Sequence, residues 1–366
     1  MVAKKHHLLF LLFFLLFFGC RTSQYYSELD AKVSKKPAST CSPAGNWERN
    51  FSLNPSVIEI QGVTEPVYFI GDIHGEILKI QPLIKAAGLD SGTVEKPIWS
   101  GKKANFVVVG DFINKGPNSL QTIKYLMKLE HAAEKNGGRV IALAGNHEIS
   151  FLINPFAEKT ETFRNEMTQS FLDVCNSVYD PKTAEGRWLR DRPAALKVNG
   201  IFVSHSGFPK WDLNEIDIKF RDLFSSSGTK ADFACGDPRG SKKYQGFFNA
   251  RNWWYQGNFQ PGLEKLRVFQ ILFAHDPNAF SHRGKIKGYF GDAHGKALIK
   301  LDVGVQIGDS SGEILRCEKW SQNGSCGEFK TIRQNLKKSE APIEDILHIK
   351  NGPPPDHYID DPENEC

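Results

Sequence analysis

Apolar and polar positions fall into two rhythms along this chain. Short unbroken apolar runs, Pro66-Val67-Tyr68-Phe69-Ile70, Phe106-Val107-Val108-Val109 and Val140-Ile141-Ala142-Leu143-Ala144, read as buried strands. Between them the apolar residues recur at helical spacing, through Ile77, Ile80, Leu83 and Ile84, and again from Ser119 to about Lys135, where Gly137-Gly138 makes a stop. Strands alternating with helices in this way predict an α/β fold with parallel pairing in its first half.

The second half keeps the same elements in a different order. Phe163 to Arg192 reads as helical and Pro193 ends it; Ala194, Leu196 and Val198 then face Ile201-Phe202-Val203 across Asn199-Gly200, a hairpin signal. Residues 225–262 are irregular and rich in Gly, Asn and aromatics, as a loop shaping a cleft would be. Three strand-like runs follow, 268–273, 285–290 and 297–303, and predict a second, more antiparallel sheet. The fold class expected is therefore α/β, two facing mixed sheets forming a sandwich flanked by helices. The domain is placed at 57–335, behind a polar tether at 21–56 and ahead of an extension at 336–366 that holds Gly352-Pro353-Pro354-Pro355 and an acidic end.

Composition alters this picture at the N-terminus. Lys4, Lys5, His6 and His7 precede an apolar run from Leu8 to Phe18, the form of an export signal over 1–20 and too short for an ordinary spanning helix. It closes on Phe17-Phe18-Gly19-Cys20, which resembles a bacterial lipoprotein cleavage site and implies a chain lipid-anchored at Cys20, in the cell envelope; an uncleaved signal anchor is the other reading. Both export the chain. Beyond Cys20 there are six cysteines, Cys41, Cys175, Cys235, Cys317, Cys326 and Cys366, and an even number in an exported protein permits disulfides. Cys317 and Cys326 flank the turn-like Ser321-Gln322-Asn323-Gly324-Ser325 and are the favoured pair. A formal charge of +4 spread over 366 residues, with no dense basic block past the N-terminus, gives no nucleic-acid footprint.

The candidate chemistry sits where the strands stop. The three early runs end in Gly71-Asp72-Ile73-His74-Gly75, Gly110-Asp111-Phe112-Ile113-Asn114-Lys115-Gly116 and Gly145-Asn146-His147-Glu148. Two later strands end in Ser204-His205-Ser206-Gly207 and Ala274-His275-Asp276-Pro277. Asp72, His74, Asp111, Asn146, His205 and His275 supply the oxygen and imidazole ligands that divalent metals take, enough for two ions about 3.5–4 Å apart. Mn, Fe and Zn all suit such a set. Gly291-Asp292-Ala293-His294-Gly295 repeats the first form, but between late strands it reads as a glycine-rich turn. Glu148 reads as a hydrogen-bonding support for its neighbours.

In this order, GDIHG, GDFINKG, GNHE, SHSG and AHDP resemble the calcineurin-like metallophosphoesterases, in the phosphoprotein-phosphatase branch with its bacterial, Shewanella-like members and its diadenosine-polyphosphatase relatives. The resemblance runs from about Val67 to Gly304. It implies that Asp72 and His74 hold one metal, Asp111 bridges, and Asn146, His205 and His275 hold the second. It also implies direct attack on phosphorus by a metal-bridging hydroxide, with His147 as the general acid at the leaving oxygen. Leu301-Asp302-Val303-Gly304 is similar to the family's closing Asp-Thr-Gly turn.

The chain also departs from that pattern. Asn114 and Lys115 stand where the family motif has Asp and Arg; Asn114 is expected to orient His147 without stabilising its imidazolium, and Lys115 to keep the charge of a phosphate clamp without the planar fork. Trp253-Trp254-Tyr255-Gln256-Gly257 is similar to a family segment whose Arg is replaced by Gln256, with Arg251 near enough to compensate. Lys115, Asn146, Arg251 and Gln256 are thus the expected phosphate-binding residues. The leading expectation is an exported metal-dependent phosphatase acting on phosphorylated proteins or small molecules. A nucleotide or dinucleotide-polyphosphate hydrolase, its aromatic loop stacking a base, is the second. A phosphoryl-binding protein with little turnover is the third.

Overall fold

The computed structural model describes residue 41 and residues 49–225, 233–234, 246–254, 259–281, 284–290, 297–305, 310–334, 340–342 and 344–345. The chain divides into two compact units, Met1–Cys41 and Ser42–Cys366; Cys41 is the described residue of the first, and the fold is that of the second. Cys20 and the rest of the export segment, Cys235, Gln256, His294 and Cys366 lie outside the described residues.

Two mixed sheets carry the core. In the first, β2 (Val67–Ile70), β3 (Asn105–Val108) and β4 (Arg139–Ala142) run parallel, and β10 (Ile314–Trp320), β11 (Cys326–Ile332) and β12 (Glu340–Pro342) continue it antiparallel from the β2 edge. Val67, Phe69, Phe106, Val107 and Val108 are fully buried, each contributing about 1.5–3 kcal/mol on leaving water. Two helices cross over between these strands, α1 (Ile77–Ala86) and α2 (Ser119–Lys135), as parallel pairing requires. Ile77, Ile80, Leu83 and Ile84 form the buried stripe of α1, as their spacing predicts.

The second sheet has the order β1 (Val57–Ile60), β5 (Ala195–Val198), β6 (Ile201–Ser204), β7 (Gln270–Phe273), β9 (Ala297–Lys300), β8 (Lys287–Phe290), β13 (Glu344–Asp345). The hairpin across Asn199-Gly200 forms between β5 and β6, with Asn199 in the left-handed region at φ 49°. This sheet is more parallel than its turns suggested: β6, β7 and β9 run in one direction, as do β1 with β5 and β8 with β13. β5, β6, β7 and β9 are buried at every position, the near-continuous apolar reading of strands covered on both faces. Parallel running also has a consequence for the site, because it brings the residues after β6, β7 and β9 to one edge.

The span expected to be one helix from Phe163 to Arg192 is two. A short 3-10 turn (Glu158–Thr160) follows α3 (Asn146–Ile153) and leads into α4 (Glu161–Gln169); α5 (Ala184–Arg190) begins only after Thr183 caps it by accepting from Gly186 N–H. The break lies at Phe171, whose backbone is left-handed at φ 57° and cannot continue a right-handed helix. Two further helices are α6 (Leu213–Ser225) and α7 (Gln260–Leu266).

Segments outside the central span also join the fold. Arg49, from the stretch read as a tether, donates to Arg190 O and Arg192 O at 2.7 Å each and lies over the rings of Phe51 and Phe220. β12 and β13, from the stretch read as an extension, pair with β11 and β8. The expected Cys317–Cys326 disulfide staples the β10–β11 hairpin, and Cys41 and Cys175 are also disulfide-bonded.

Candidate metal centre

Five of the predicted ligands stand within two residues of a sheet-strand end or in the loop just beyond it, and the sixth, Asn146, opens α3 four residues after β4. Backbone strain marks the place: His74, Asp111 and His275 are left-handed at φ 45°, 47° and 66°, and Asn114 and Lys115 follow at 64° each. Such conformations cost about 1–3 kcal/mol per residue, and the surrounding contacts hold them. Gly145 shows how tight the packing is, because a Cβ there would lie 2.2 Å from Asp111 Oδ1.

Asp111 stands at the centre. Its Oδ2 is 3.7 Å from His74 Nε2, 3.9 Å from His147 Nε2 and 3.2 Å from His205 Nε2. Two groups of potential ligands share it, His74 with Asp111 and His147, and Asp111 with His205 and His275. Asp72 closes the ring from the other side: Oδ2 is 3.6 Å from His74 Nε2, and Oδ1 accepts the His275 backbone N–H at 3.2 Å.

The imidazoles are set to present lone pairs inward. His74 Nδ1 lies 3.1 Å from Ile113 O and His205 Nδ1 2.9 Å from Val109 O, so that as donors they leave Nε2 for the centre. Burial pushes the His74 ring down to about 3, and burial likewise drives His147 and His275 well below their ordinary range. Neutral imidazole is the form that ligates metal. Burial raises the Asp111 carboxyl, but the ring nitrogens of His205, His147 and His74 overcome it and hold the group well below the usual carboxylate range. Asp72 moves the other way, pushed up by burial first and then by Asp302 and Asp111.

These residues fit divalent metal ions. His74 Nε2 and His275 Nε2 are buried polar atoms with no hydrogen-bond partner in the protein. Asn146 adds a third sign: in one orientation of its amide, Oδ1 sits 3.0 Å from His205 Nε2 and faces the Asp111 carboxylate, so that acceptor atoms converge on one place. A cation resolves that crowding.

The remaining expected residues are distributed around this centre. His147 is buried, edge-on to the His74 ring at 4.8 Å, and its backbone N–H donates to Asp111 Oδ1. Asn114 is a correction. Its Oδ1 accepts from Phe163 N–H at 3.0 Å, while its Nδ2 and His147 Nδ1 each lack a hydrogen-bond partner, so no hydrogen bond joins Asn114 to His147. The amide has been recruited by the start of α4. The Lys115 charge acts on Asp72, His74 and His147. Arg251 is buried, with Nη1 3.9 Å from Asp276 Oδ1, and its charge bears on His275.

Of three further residues, Lys159 and Glu166 gave no sequence signal of their place here, and Asp302 was marked only by the resemblance of Leu301-Asp302-Val303-Gly304 to the family's closing turn. Asp302, after β9, is buried with Oδ1 accepting from Gly304 N–H and its charge acting on Asp72. Lys159, in the 3-10 turn, reaches Asn146. Glu166, in α4, accepts the Ser119 and Leu120 N–H groups at 2.7 and 2.9 Å and caps the start of α2 from 47 and 46 residues away. Nothing in local spacing marks a contact made by folding a distant segment across a loop.

A profile described as calcineurin-like phosphoesterase matches residues 65–307. Among curated relatives, Shewanella-like protein phosphatase 2 of Arabidopsis thaliana is 34% identical over 97 residues, 26% of this chain and 24% of the relative. A symmetrical bis(5'-nucleosyl)-tetraphosphatase of Buchnera aphidicola is 32% identical over 151 residues, 40% of this chain and 46% of the relative. The chain thus spans less than half the length of the curated relatives it matches. Among solved structures, the cold-active protein-tyrosine phosphatase of a psychrophilic Shewanella species superposes with a TM-score of 0.57 over 76% of this chain and 80% of that one, at 19% identity, a likeness of fold.

Proposed function

This chain belongs to the calcineurin-like phosphoesterase family, and on that premise we propose that it is an exported, metal-dependent phosphatase acting on phosphomonoesters of proteins or small molecules. The observation that carries the reading is the convergence of Asp72, His74, Asp111, Asn146, His205 and His275 around the single Asp111 carboxylate. Asp72 and His74 would hold one divalent ion, Asn146, His205 and His275 the other, and Asp111 both. Such ions, when bound, activate a water and neutralise charge on the phosphoryl oxygens.

The protein's own residues supply the rest. His147 Nε2, 3.9 Å from Asp111 Oδ2, faces the same centre and is the group placed to give a proton to the leaving oxygen. Burial, the largest influence on it, favours its neutral form, so it needs negative charge nearby to pick up that proton; Asp111 acts in that sense. Lys115, whose charge acts on His74, and Arg251, whose charge acts on His275, bring positive charge for a phosphate.

The test is phosphate release from p-nitrophenyl phosphate by protein lacking residues 1–20, with Mn²⁺ or with a chelator, beside Asp111→Ala. Metal-dependent release that the substitution abolishes supports the reading; no release from metal-loaded protein overturns it.

A second reading, hydrolysis of dinucleoside polyphosphates, draws support from Trp253. This half-buried indole packs on Phe273 and donates to Ser206 O, next to the His205 loop, where a base could stack on it. Cleavage of a diadenosine polyphosphate with no release from the aryl phosphate would favour it. Export and anchoring at Cys20 rest on the charged and apolar N-terminus and on the Cys317–Cys326 disulfide, a bond that persists in oxidising compartments. Among the described residues no helix is long and apolar enough to cross a membrane. Labelling cells with radioactive palmitate tests the anchor: Cys20→Ala is expected to lose the label, and a label that persists overturns the assignment.

A further inference from the structure

Asp276 is a buried carboxylate that the ligand set does not use. It follows His275 directly, and its Oδ1 accepts from Asn278 N–H at 3.1 Å in the turn that leads away from β7. That turn needs only an oxygen, which an asparagine at 276 would supply as well. The negative charge is surplus to it, and Oδ2 has no hydrogen-bond partner among the described residues. Burying a carboxylate in this way is costly, so the reason for the charge lies in what it faces.

It faces Arg251. Nη1 stands 3.9 Å from Asp276 Oδ1 with both side chains buried, within the range of an ion pair and beyond that of a hydrogen bond. Asp302 and Lys300 also act on Asp276, in opposite senses, and each acts less strongly than Arg251 does. The guanidinium charge in turn bears on His275.

The loop that carries Arg251 is fastened to the residues behind both histidines of the second group. Ser206, after His205, donates from Oγ to Phe247 O at 2.6 Å, and its carbonyl accepts from Trp253 Nε1 at 2.8 Å, so one residue holds the loop on either side of position 251. Trp253 packs on Phe273 and Trp254 on Phe280, with ring centres 5.4 and 5.0 Å apart, which lays the loop along the end of β7 and the turn after it. Asn252, next to Arg251, is left-handed at φ 58°, a conformation that surrounding contacts have to hold. Ser206 and the rings thus place the backbone, and the Asp276 carboxylate acts on the guanidinium at the far end of the side chain.

A guanidinium is a planar set of donors that matches two phosphoryl oxygens at once, and its worth depends on how it is aimed. From this geometry we infer that Asp276 is the positioning residue of Arg251 and that the two form a phosphoryl clamp on the His275 side of the site. The inference deepens the phosphatase reading and rests on it for the substrate class. Positioning and simple electrostatics make opposite predictions here. On charge alone, removing a carboxylate from beside an anion site strengthens anion binding, whereas releasing a guanidinium from the partner that aims it weakens binding.

The experiment is titration of the Mn²⁺-loaded full chain, in detergent, with inorganic phosphate, together with the metal content of each protein. Asp276→Asn keeps the Oδ1 acceptor of the turn and removes the charge; it is expected to weaken phosphate binding about threefold or more with metal content unchanged. Binding as tight as wild type or tighter overturns the inference. So does loss of metal from this variant, which would make Asp276 a support of the metal site. Arg251→Met is expected to weaken binding about tenfold or more, the loss of charge-assisted hydrogen bonds, and adding Asp276→Asn to it is expected to bring no further loss. An additive loss overturns the positioning role.

The double variant also decides the matter if Asp276→Asn alone does not fold, because it leaves neither buried charge unpaired and changes no net charge. Phosphate affinity within twofold of wild type in that protein overturns the clamp. Because the titration reads binding, a wild-type protein that binds phosphate without hydrolysing p-nitrophenyl phosphate would end the phosphatase reading and leave the Asp276 assignment decided by the affinities. Ester hydrolysis by wild type beside an Asp276→Asn protein of full phosphate affinity would end the Asp276 assignment alone.

Discussion

Glu148 Oε2 accepts the backbone N–H of Asp111 at 2.8 Å, although the two residues stand 37 apart in the chain. The same oxygen accepts from Gly145 N–H, and Oε1 accepts from Phe112 and Ile113 N–H at 3.0 and 3.1 Å. One buried carboxylate thus fastens the loop after β3 to the start of α3, and with it the relative positions of Asp111 and Asn146. In Glu148→Gln an amide NH₂ would face some of those N–H groups. We expect that substitution to lower metal affinity by about 10- to 100-fold, as loss of a ligand's hydrogen-bonded support does. Calorimetric titration with Mn²⁺ measures it, and wild-type affinity would show that the loops hold their shape without Glu148.

Asp72 and Asp111 face each other across the histidines, and Asp302 adds a third carboxylate that acts on Asp72. Bound cations relieve that repulsion, so the folded protein should gain stability from metal. Mn²⁺ at a hundred times its dissociation constant contributes about 2.7 kcal/mol for each site. Thermal melting should therefore fall when a chelator is added and recover with Mn²⁺, and Asp111→Ala should melt at the same temperature in both conditions. An identical chelator effect in that variant would place the stabilising ion elsewhere.

The legibility of this protein follows the range over which each contact is made. Asp72, His74, Asp111, Asn146, His205 and His275 could be read because each comes directly after a buried strand, and parallel strands deliver their ends to one edge. Cys317 and Cys326 could be read because the turn between them is local. Asn114 was misjudged because residue type at a motif position says nothing of a competing donor, here Phe163 N–H from 49 residues on. Lys159 and Glu166 were illegible for the same reason, since their partners come from other loops. The helix break at Phe171 escaped because apolar spacing continued across it while the backbone did not.

The Cys317–Cys326 bond closes a loop at a sequence separation of 9, joining β10 to β11 in the antiparallel part of the first sheet. Loop-closure entropy for so short a ring is worth about 3 kcal/mol. Replacing both cysteines with alanine should lower unfolding stability by about that much while leaving metal binding intact, since β10 meets the metal-bearing strands only through β2. Urea unfolding beside a metal titration separates the two effects. A variant that loses metal with its stability would tie the hairpin to the site.

Lys300 is fully buried in β9, with Nζ donating to Pro277 O at 3.0 Å. Burial lowers its ammonium to about 8 from an ordinary 10.5, and Asp302, Asp276 and Glu313 act against that fall. Between those two values the unfolded chain carries a proton that the folded chain has released, so stability should rise with pH through this window. Below pH 8 both states are protonated and the burial penalty is constant; above 10.5 both are neutral. The gap, at about 1.4 kcal/mol for each pH unit, is worth about 3 kcal/mol. Other groups titrate in the same range, so the quantity to measure is the wild-type slope less that of Lys300→Met. Urea midpoints at pH 8 and pH 10 should converge or cross in favour of wild type as pH rises. Parallel curves for the two proteins would mean that Lys300 keeps its proton in the fold, with Asp302 and Asp276 holding it there.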